Sequence, residues 1–227
     1  MIKLVIFDLD GTLVNAYPAV AKSVNYTLKA LGFPLRSDVT IKRSVGEGDR
    51  QLMIKFVGPK RADDAMAIYR PHHAKALKSK GMVRFLPGVW GTLNFLKSKG
   101  YQLAIASNRP TPFTRIILKV LGAGKFFDVV LCADCAKRPK PYPDMLWTIA
   151  RRLGIARPDV LYVGDMTIDV RCARAAGIRM VAVATGSNSK KELKSLKPWR
   201  IIGRMVLLKK AINALTLMGR VRKGCYE

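Results

Sequence analysis

A short apolar run near the start of the chain ends in two aspartates. Residues 4–7 read Leu-Val-Ile-Phe, and Asp8-Leu9-Asp10-Gly11-Thr12-Leu13 follows directly. A continuous apolar run that stops at a turn predicts a strand buried on both faces, which is typical of parallel sheets. Open α/β sheets bind their ligands beyond the carboxyl ends of the strands. Asp8 and Asp10 are therefore predicted to face a ligand crevice.

Two carboxylates this close repel each other unless a positive charge lies between them. Mg²⁺, which prefers hard oxygen ligands, is the expected ion. Considered alone, the pattern also fits a strand that ends in a solvated acidic turn.

The rest of the chain predicts an α/β fold with an insertion. Four further apolar runs, separated by helical segments, predict strands near residues 101–108, 126–131, 160–165 and 179–183. Alternating strands and helices imply a parallel sheet with right-handed crossovers. Residues 15–83 show helical patterns and no convincing strand. We therefore expect a Rossmann-like core, built from residues 1–14 and 84–227, and a small helical domain of residues 15–83 inserted after the first strand.

Several polar residues stand out in the predicted insertion. Asp38 and Asp49 are predicted to cap short helices. Arg50, beside a glycine-rich turn, is a candidate to bind a substrate carboxylate, although a surface arginine is the favoured interpretation. His72 and His73 lie in the last predicted helix of the insertion and are interpreted as structural.

Polar residues follow two of the later strands. Ser107 and Asn108 could donate hydrogen bonds to phosphate oxygens, together with nearby backbone N–H groups; a simple polar loop is the alternative. Asp165 and Asp169 come at the end of the strand near residues 160–165 and could face one ion. Asp165 would bind the ion directly, and Asp169 would orient the groups that bind it. Asp169 could instead only cap the next helix.

Alternate prolines frame one lysine in the segment Pro139-Lys140-Pro141-Tyr142-Pro143. Proline holds the chain extended and restricts the residue before it, so the Lys140 side chain is predicted to be held in place. An ammonium near Asp8 would lower the pKa of that carboxyl and neutralise phosphate charge. Lys140 is preferred to Lys137 because it directly precedes Pro-Tyr-Pro.

These motifs, in this order, resemble the four motifs of the haloacid dehalogenase (HAD) superfamily. The resemblance covers residues 1 to about 205 and rests on Asp8-Leu-Asp-Gly-Thr-Leu13, Ser107-Asn108, Lys140-Pro-Tyr-Pro143 and Gly164-Asp165-x3-Asp169. The helical segment after the first motif is similar to the C1 cap of the phosphoglycolate phosphatase-like branch.

The resemblance implies a Mg²⁺-dependent phosphatase that acts through an aspartyl-phosphate on a small phosphorylated metabolite, with phosphoglycolate as the leading substrate. It makes Asp8 the nucleophile and Asp10 the acid/base, and it assigns phosphate binding to Ser107, Asn108 and Lys140. A phosphomutase or pyrophosphatase of the same architecture is the near alternative.

The resemblance also implies the metal ligands. They are Asp8, the backbone carbonyl of Asp10, and Asp165, with Asp169 supporting the site. Asn15 and Arg109 depart from the family pattern, which commonly has Asp and Lys at these positions. Both lie where cap and core are expected to meet, so we expect them to affect substrate choice.

The chain is strongly basic, with 41 Lys and Arg against 15 Asp and Glu and a formal net charge of +26. Such a charge attracts anions but does not determine the fold. A HAD-like domain that mainly binds nucleic acid or an anionic membrane is therefore the alternative of another class. The intact set of Asp8, Asp10, Lys140 and Asp165 argues against it. A monomer or homodimer is expected.

The cysteines and the ends of the chain predict little chemistry. Four cysteines are too few for a disulfide framework, and Cys132-Ala-Asp-Cys135 is interpreted as a buried strand end rather than a zinc or redox site. No signal-peptide pattern and no run of membrane-spanning length occurs, which predicts a cytoplasmic location. An edge strand near residues 198–202 and a final helix with a solvated basic side are predicted at the C-terminal end.

Overall fold

The computed structural model describes residues 1–223, and side chains as far as residue 215. In chain order, the strands of its main sheet are β1 (Leu4–Phe7), β4 (Gln102–Ser107), β5 (Val129–Cys132), β6 (Val160–Gly164), β7 (Arg179–Val183) and β8 (Arg200–Ile202). These six strands are parallel and lie in the order β5-β4-β1-β6-β7-β8. The predicted α/β fold is confirmed.

Strand β1 lies in the middle of the sheet and is buried on both faces, as its continuous apolar run predicts. Val5 and Phe7 belong to the apolar cluster on one face, and Leu4 and Ile6 to the cluster on the other. Phe7 pairs with residues of β4 and β6. The residues that follow these three strands therefore meet at one edge of the sheet.

Helices cover both faces of the sheet. On one face lie α5 (Val89–Ser98), α6 (Thr111–Val120) and α10 (Leu208–Lys223). On the other lie α7 (Asp144–Arg152), α8 (Thr167–Ala176) and α9 (Lys190–Ser195). Two layers of helices thus bury the central strands and leave their carboxyl ends open to ligands.

The first four α-helices of the chain form the helical insertion: α1 (Tyr17–Ala30), α2 (Asp38–Ser44), α3 (Asp49–Val57) and α4 (Ala62–Lys78). Apolar side chains of these helices build a separate cluster around Tyr69 and Met53. Two short antiparallel strands, β2 (Val14–Asn15) and β3 (Arg84–Phe85), pair where the chain enters and leaves it. The bounds of a domain at 15–83 remain our proposal.

Several local predictions need correction. The strand predicted at 126–131 begins only at Val129, because Phe126 packs into the core from a single helical turn. Asp38 does not cap α2; the Ser37 hydroxyl accepts from the Thr40 amide instead. The predicted edge strand and final helix are confirmed as β8 and α10.

Cys132 ends β5 and is buried, whereas Cys135 is exposed, so the strand-end interpretation holds only for the first. Cys172 is buried and free; Cys225 lies outside the described residues. None of the helices that the structure describes is both long and apolar enough to cross a bilayer.

Candidate active site

A buried lysine connects the ends of two strands. Lys140 Nζ donates to Asp8 Oδ1 at 2.5 Å, to Asp169 Oδ1 at 2.8 Å and to the Tyr162 hydroxyl at 3.1 Å. Tyr162 in turn donates to Asp169 Oδ1 at 2.7 Å. These three contacts use all three hydrogens of the ammonium. The proline frame therefore delivers Lys140 to a fixed position beside Asp8, as the sequence predicts.

Asp165 completes a cluster of three buried carboxylates. Asp8, Asp165 and Asp169 each offer an oxygen, and these oxygens lie within 4.8 Å of one another. Thr12 Oγ1 donates to Asp165 Oδ1 at 2.8 Å, and the Ser187 amide donates to Oδ2 at 3.1 Å. Close packing restricts the surrounding backbone: a Cβ at residue 186, a glycine, would lie 1.5 Å from Asp165 Oδ2.

The charges of this cluster are not balanced by the protein alone. Burial raises the pKa of Asp8 to about 7, against the lowering effect of Lys140. Burial, with repulsion from Asp8 and Asp169, raises the pKa of Asp165 well above its usual range. Burial opposes the charge of Lys140, but Asp169 and Asp8 outweigh it and raise the pKa of the ammonium. Lys140 supplies one positive charge to a cluster of three carboxylates, so the charge balance favours a second cation. The donor atoms of the carboxylates are all oxygens, which fits a hard divalent metal.

A second ion pair holds Asp10. Arg109 Nε donates to Asp10 Oδ2 at 2.7 Å, and Nη2 donates to Oδ1 at 3.0 Å. Arg109 is buried, and its Nη1 lies 2.7 Å from His73 Nε2 on α4. Only arginine can make this bidentate contact, so the departure from the family's usual lysine has a structural consequence. Arg109 orients the Asp10 carboxylate and ties it to the helical insertion.

His73 reaches across to the core through a defined hydrogen-bond chain. Ser23 donates its hydroxyl hydrogen to the Ala19 carbonyl at 2.8 Å, so its oxygen accepts from His73 Nδ1 at 3.2 Å. His73 Nε2 is then left to accept from Arg109. Burial, assisted by the charge of Arg109, lowers the pKa of His73 to about 2, so the ring is neutral. The interpretation of His73 as structural missed this contact, because 36 positions separate it from Arg109 and no local pattern links them.

Ser107 and Asn108 differ in what they can still offer a ligand. Ser107 Oγ accepts from the Arg109 amide at 3.1 Å, and its own hydrogen has no acceptor among the described residues. Asn108 Nδ2 donates to the carbonyls of Gly46 and Lys140 at 2.9 and 3.0 Å, and Oδ1 accepts from the Lys140 amide at 2.9 Å. The expectation that the Asn108 amide binds phosphate is therefore corrected: both of its hydrogens position backbone segments.

A cavity of about 60 Å³ lies between these core residues and the helical insertion. Asp8, Asp10, Arg109 and Lys140 line it from the core, and Asp49 lines it from α3. The predicted cap role of Asp49 is wrong, because no side-chain cap is made at the start of α3. One Asp49 carboxylate oxygen is instead buried and has no hydrogen-bond partner.

The turn before α3 closes the cavity against the core. Gly46 accepts from Asn108, and a Cβ at Gly46 would lie 2.5 Å from the Met166 side chain. Gly48 has a φ of +90°, which favours glycine, and a Cβ there would lie at an ordinary contact distance of 3.5 Å from the Asn108 carbonyl oxygen. The absence of a Cβ at residue 46 allows the insertion to approach the core this closely.

Two candidate specificity residues lie elsewhere. Arg50 is exposed, and its guanidinium donates to both oxygens of Asp63 at 3.1 and 3.3 Å. Asn15 accepts from the Tyr17 amide at 3.2 Å and so stabilises the start of α1. Neither lines the cavity. Each side chain is engaged by a local partner, so the structure does not bring either candidate to the cavity, and their roles in specificity stay predictions.

Comparisons with known proteins agree with this architecture. Residues 5–183 match the family model "Haloacid dehalogenase-like hydrolase". A phosphoglycolate phosphatase of Escherichia coli (strain K12) is 33% identical over 209 residues, covering 82% of this chain and 83% of that protein. Phosphoglycolate phosphatase 1 of Pseudomonas aeruginosa is 30% identical, covering 88% of this chain and 76% of the relative.

Solved structures show the same fold. A crystal structure from Haemophilus somnus 129PT, described as a predicted phosphoglycolate phosphatase, superposes with a TM-score of 0.84 at 29% identity, covering 93% of this chain and 98% of that one. A predicted phosphatase from Clostridium acetobutylicum gives a TM-score of 0.83 at 26% identity, covering 94% and 99%. The chain belongs to the haloacid dehalogenase-like hydrolases, in the branch similar to phosphoglycolate phosphatases, and is an enzyme of the phosphatase type.

Proposed function

We propose that this protein is a Mg²⁺-dependent phosphatase that cleaves small phosphate monoesters through an aspartyl-phosphate at Asp8. The observation that carries the proposal is the pairing of two carboxylates, each held by its own cation, at the end of β1. Lys140 holds Asp8, and Arg109 holds Asp10. Both carboxylates line the same cavity, so both can reach one bound phosphate ester.

In the first step, an Asp8 oxygen attacks phosphorus and the ester P–O bond breaks. Asp10 donates a proton to the departing alkoxide oxygen, so the alcohol leaves neutral. In the second step, Asp10 takes a proton from water as the water oxygen attacks the phosphorus of the aspartyl-phosphate. The P–O bond to Asp8 breaks, and inorganic phosphate leaves.

The transferred phosphoryl group carries charge that the site must stabilise. Lys140 provides a fixed ammonium, and Ser107 has a hydroxyl hydrogen free to donate. Asp8, Asp165 and Asp169 would hold the Mg²⁺ or support it, and the bound ion would neutralise phosphate charge. The Asp10 backbone carbonyl is a further proposed ligand. Asn108 acts through the Lys140 segment that it positions.

The relatives' names make phosphoglycolate the first substrate to test. A phosphomutase or pyrophosphatase activity of the same site is the near alternative. A cytoplasmic location, a monomeric or homodimeric state, and binding of nucleic acid or anionic membrane through the basic surface remain predictions.

The test is release of phosphate from p-nitrophenyl phosphate and from a panel of phosphorylated metabolites, with Mg²⁺ or with EDTA. We expect turnover only with Mg²⁺, and a loss of at least about 10⁴-fold in Asp8→Asn. Asp63→Asn is the matched control, because Asp63 is exposed and remote from the cavity. Normal turnover by Asp8→Asn, or full activity in EDTA, would contradict the proposal.

A further inference from the structure

Two buried polar atoms on the helical insertion have no hydrogen-bond partner among the described residues: one Asp49 oxygen and the Tyr69 hydroxyl. Asp49 lines the cavity from α3, and Tyr69 is fully buried on α4. Tyr69 packs in the same apolar cluster as Leu52 and Met53 of α3, the helix that begins at Asp49. Buried polar atoms are rarely left unpaired, so these atoms indicate a missing ligand group.

Each cation that lines the cavity already has a carboxylate partner. Lys140 pairs with Asp8, and Arg109 pairs with Asp10. A substrate carboxylate next to Asp49 would meet a third negative charge, with no unpaired lysine or arginine among the lining residues to offset it.

The groups around this position are instead complementary to a neutral hydroxyl. A guanidinium has five N–H hydrogens, and three of those of Arg109 are used by Asp10 and His73. The other two can donate to a ligand oxygen, while the Asp49 carboxylate can accept a hydrogen from the same group. A hydroxyl satisfies both partners, whereas a carboxylate has no hydrogen to give and an ammonium has no lone pair.

The cavity is small. A volume of about 60 Å³ holds roughly four or five water molecules, which is enough for a phosphoryl group and a short chain. Gly46 lies close to the core beside this cavity, since a Cβ there would lie 2.5 Å from the Met166 side chain.

We infer that Asp49, with Arg109, forms a subsite that selects short phosphate monoesters whose leaving alcohol carries a second hydroxyl. Esters whose leaving alcohol carries a carboxylate, as glycolate does, are disfavoured. This inference rests on the proposed phosphatase activity and names its substrate class. The proposed substrate class differs from phosphoglycolate, the substrate in the names of the relatives. The difference follows from the Asp49 carboxylate, which lines the cavity of this chain.

The experiment compares four small substrates that differ at one terminal group: 2-hydroxyethyl phosphate, phosphoglycolate, 2-aminoethyl phosphate and propyl phosphate. We expect wild-type kcat/KM to be about tenfold or more higher for 2-hydroxyethyl phosphate than for the other three. In Asp49→Asn we expect the preference over phosphoglycolate to fall by about tenfold, because the repulsion is removed and an amide hydrogen can donate to the carboxylate.

The matched control is Asp63→Asn, which should keep the wild-type ratios. A wild-type preference for phosphoglycolate, or an Asp49→Asn variant with unchanged ratios, would overturn the subsite while p-nitrophenyl phosphate is still hydrolysed. Failure to hydrolyse any ester, p-nitrophenyl phosphate included, would overturn the phosphatase proposal itself, and the subsite with it.

Discussion

The two sides of the cavity differ in how completely their polar groups are paired. On the core side, Lys140 and Arg109 hold Asp8 and Asp10 in bonds of 2.5 to 3.0 Å. On the insertion side, Asp49 leaves a buried oxygen without a partner. The core side is thus organised before substrate arrives, as electrostatic catalysis requires. The insertion side is incomplete until a substrate supplies the missing group, as substrate selection requires.

The largest effect should come from breaking the organised side. Lys140→Met removes the cation between Asp8 and Asp169 with little change in volume, and we expect kcat to fall by about 10²–10³-fold. Steady-state kinetics with p-nitrophenyl phosphate would measure this. The matched control is Lys137→Met, an exposed lysine three residues earlier. Equal losses in both variants would show that the position of Lys140 is irrelevant.

The link between the two sides should give an intermediate effect. His73→Phe removes the acceptor for Arg109 Nη1, so the Asp10 carboxylate loses part of its orientation. We expect about a tenfold loss of kcat for alkyl phosphates, whose leaving group needs a proton from Asp10, and a smaller loss for p-nitrophenyl phosphate.

Two further variants test whether His73 orients Asp10 through Arg109 or only packs the insertion. His73→Gln retains an acceptor and should restore part of the activity on alkyl phosphates, whereas His72→Phe, on the half-buried neighbour, should leave the ratio of the two substrates unchanged. If His73→Phe lowered both activities equally, the ring would serve only to pack the insertion.

The smallest effect should be a gain in stability on the incomplete side. Burial raises the pKa of Asp49 from 3.8 to about 6, so the charged form is disfavoured in the folded protein. The contribution of Asp49 to stability is fully present below pH 3.8 and is lost as the pH rises through about 6. At pH 8, Asp49→Asn should therefore be more stable than wild type by about 1 kcal/mol, and the gain should vanish towards pH 4.

Urea denaturation at the two pH values measures this gain, with Asp38→Asn as the control, because Asp38 is exposed on α2. If Asp49→Asn is more stable than wild type but discriminates less between substrates, Asp49 serves substrate binding at a cost in stability. A loss of stability at pH 8 would show that Asp49 has a structural role instead.

The sequence predicts the organised side well for a physical reason. Asp8 and Asp165 directly follow buried strands and Ser107 ends one, and parallel strands bring their carboxyl ends to one edge. The position of Lys140 is also local information, because the flanking prolines restrict the chain around it. The order of the motifs along the chain therefore carries most of the geometry of this side.

The other side depends on how separate helices pack, which no local pattern records. Asp49 has the sequence signature of a helix cap, yet it lies in the cavity. Arg50, next to it, has the chemistry of a substrate ligand but bonds to Asp63. His73 is apparent as a contact of Arg109 only once α4 is packed over the core. The contacts of this side therefore become apparent only in the folded structure.

The central claim is that Asp8 becomes covalently phosphorylated during turnover. The most direct measurement is acid quenching of the wild-type enzyme during turnover with Mg²⁺, followed by peptide mass spectrometry of the segment that contains Asp8. The account predicts one added phosphoryl group on Asp8, absent in Asp8→Asn and after hydroxylamine treatment, which cleaves acyl phosphates. An active enzyme whose quenched Asp8 carries no phosphoryl group, or carries it on another residue, would contradict the account.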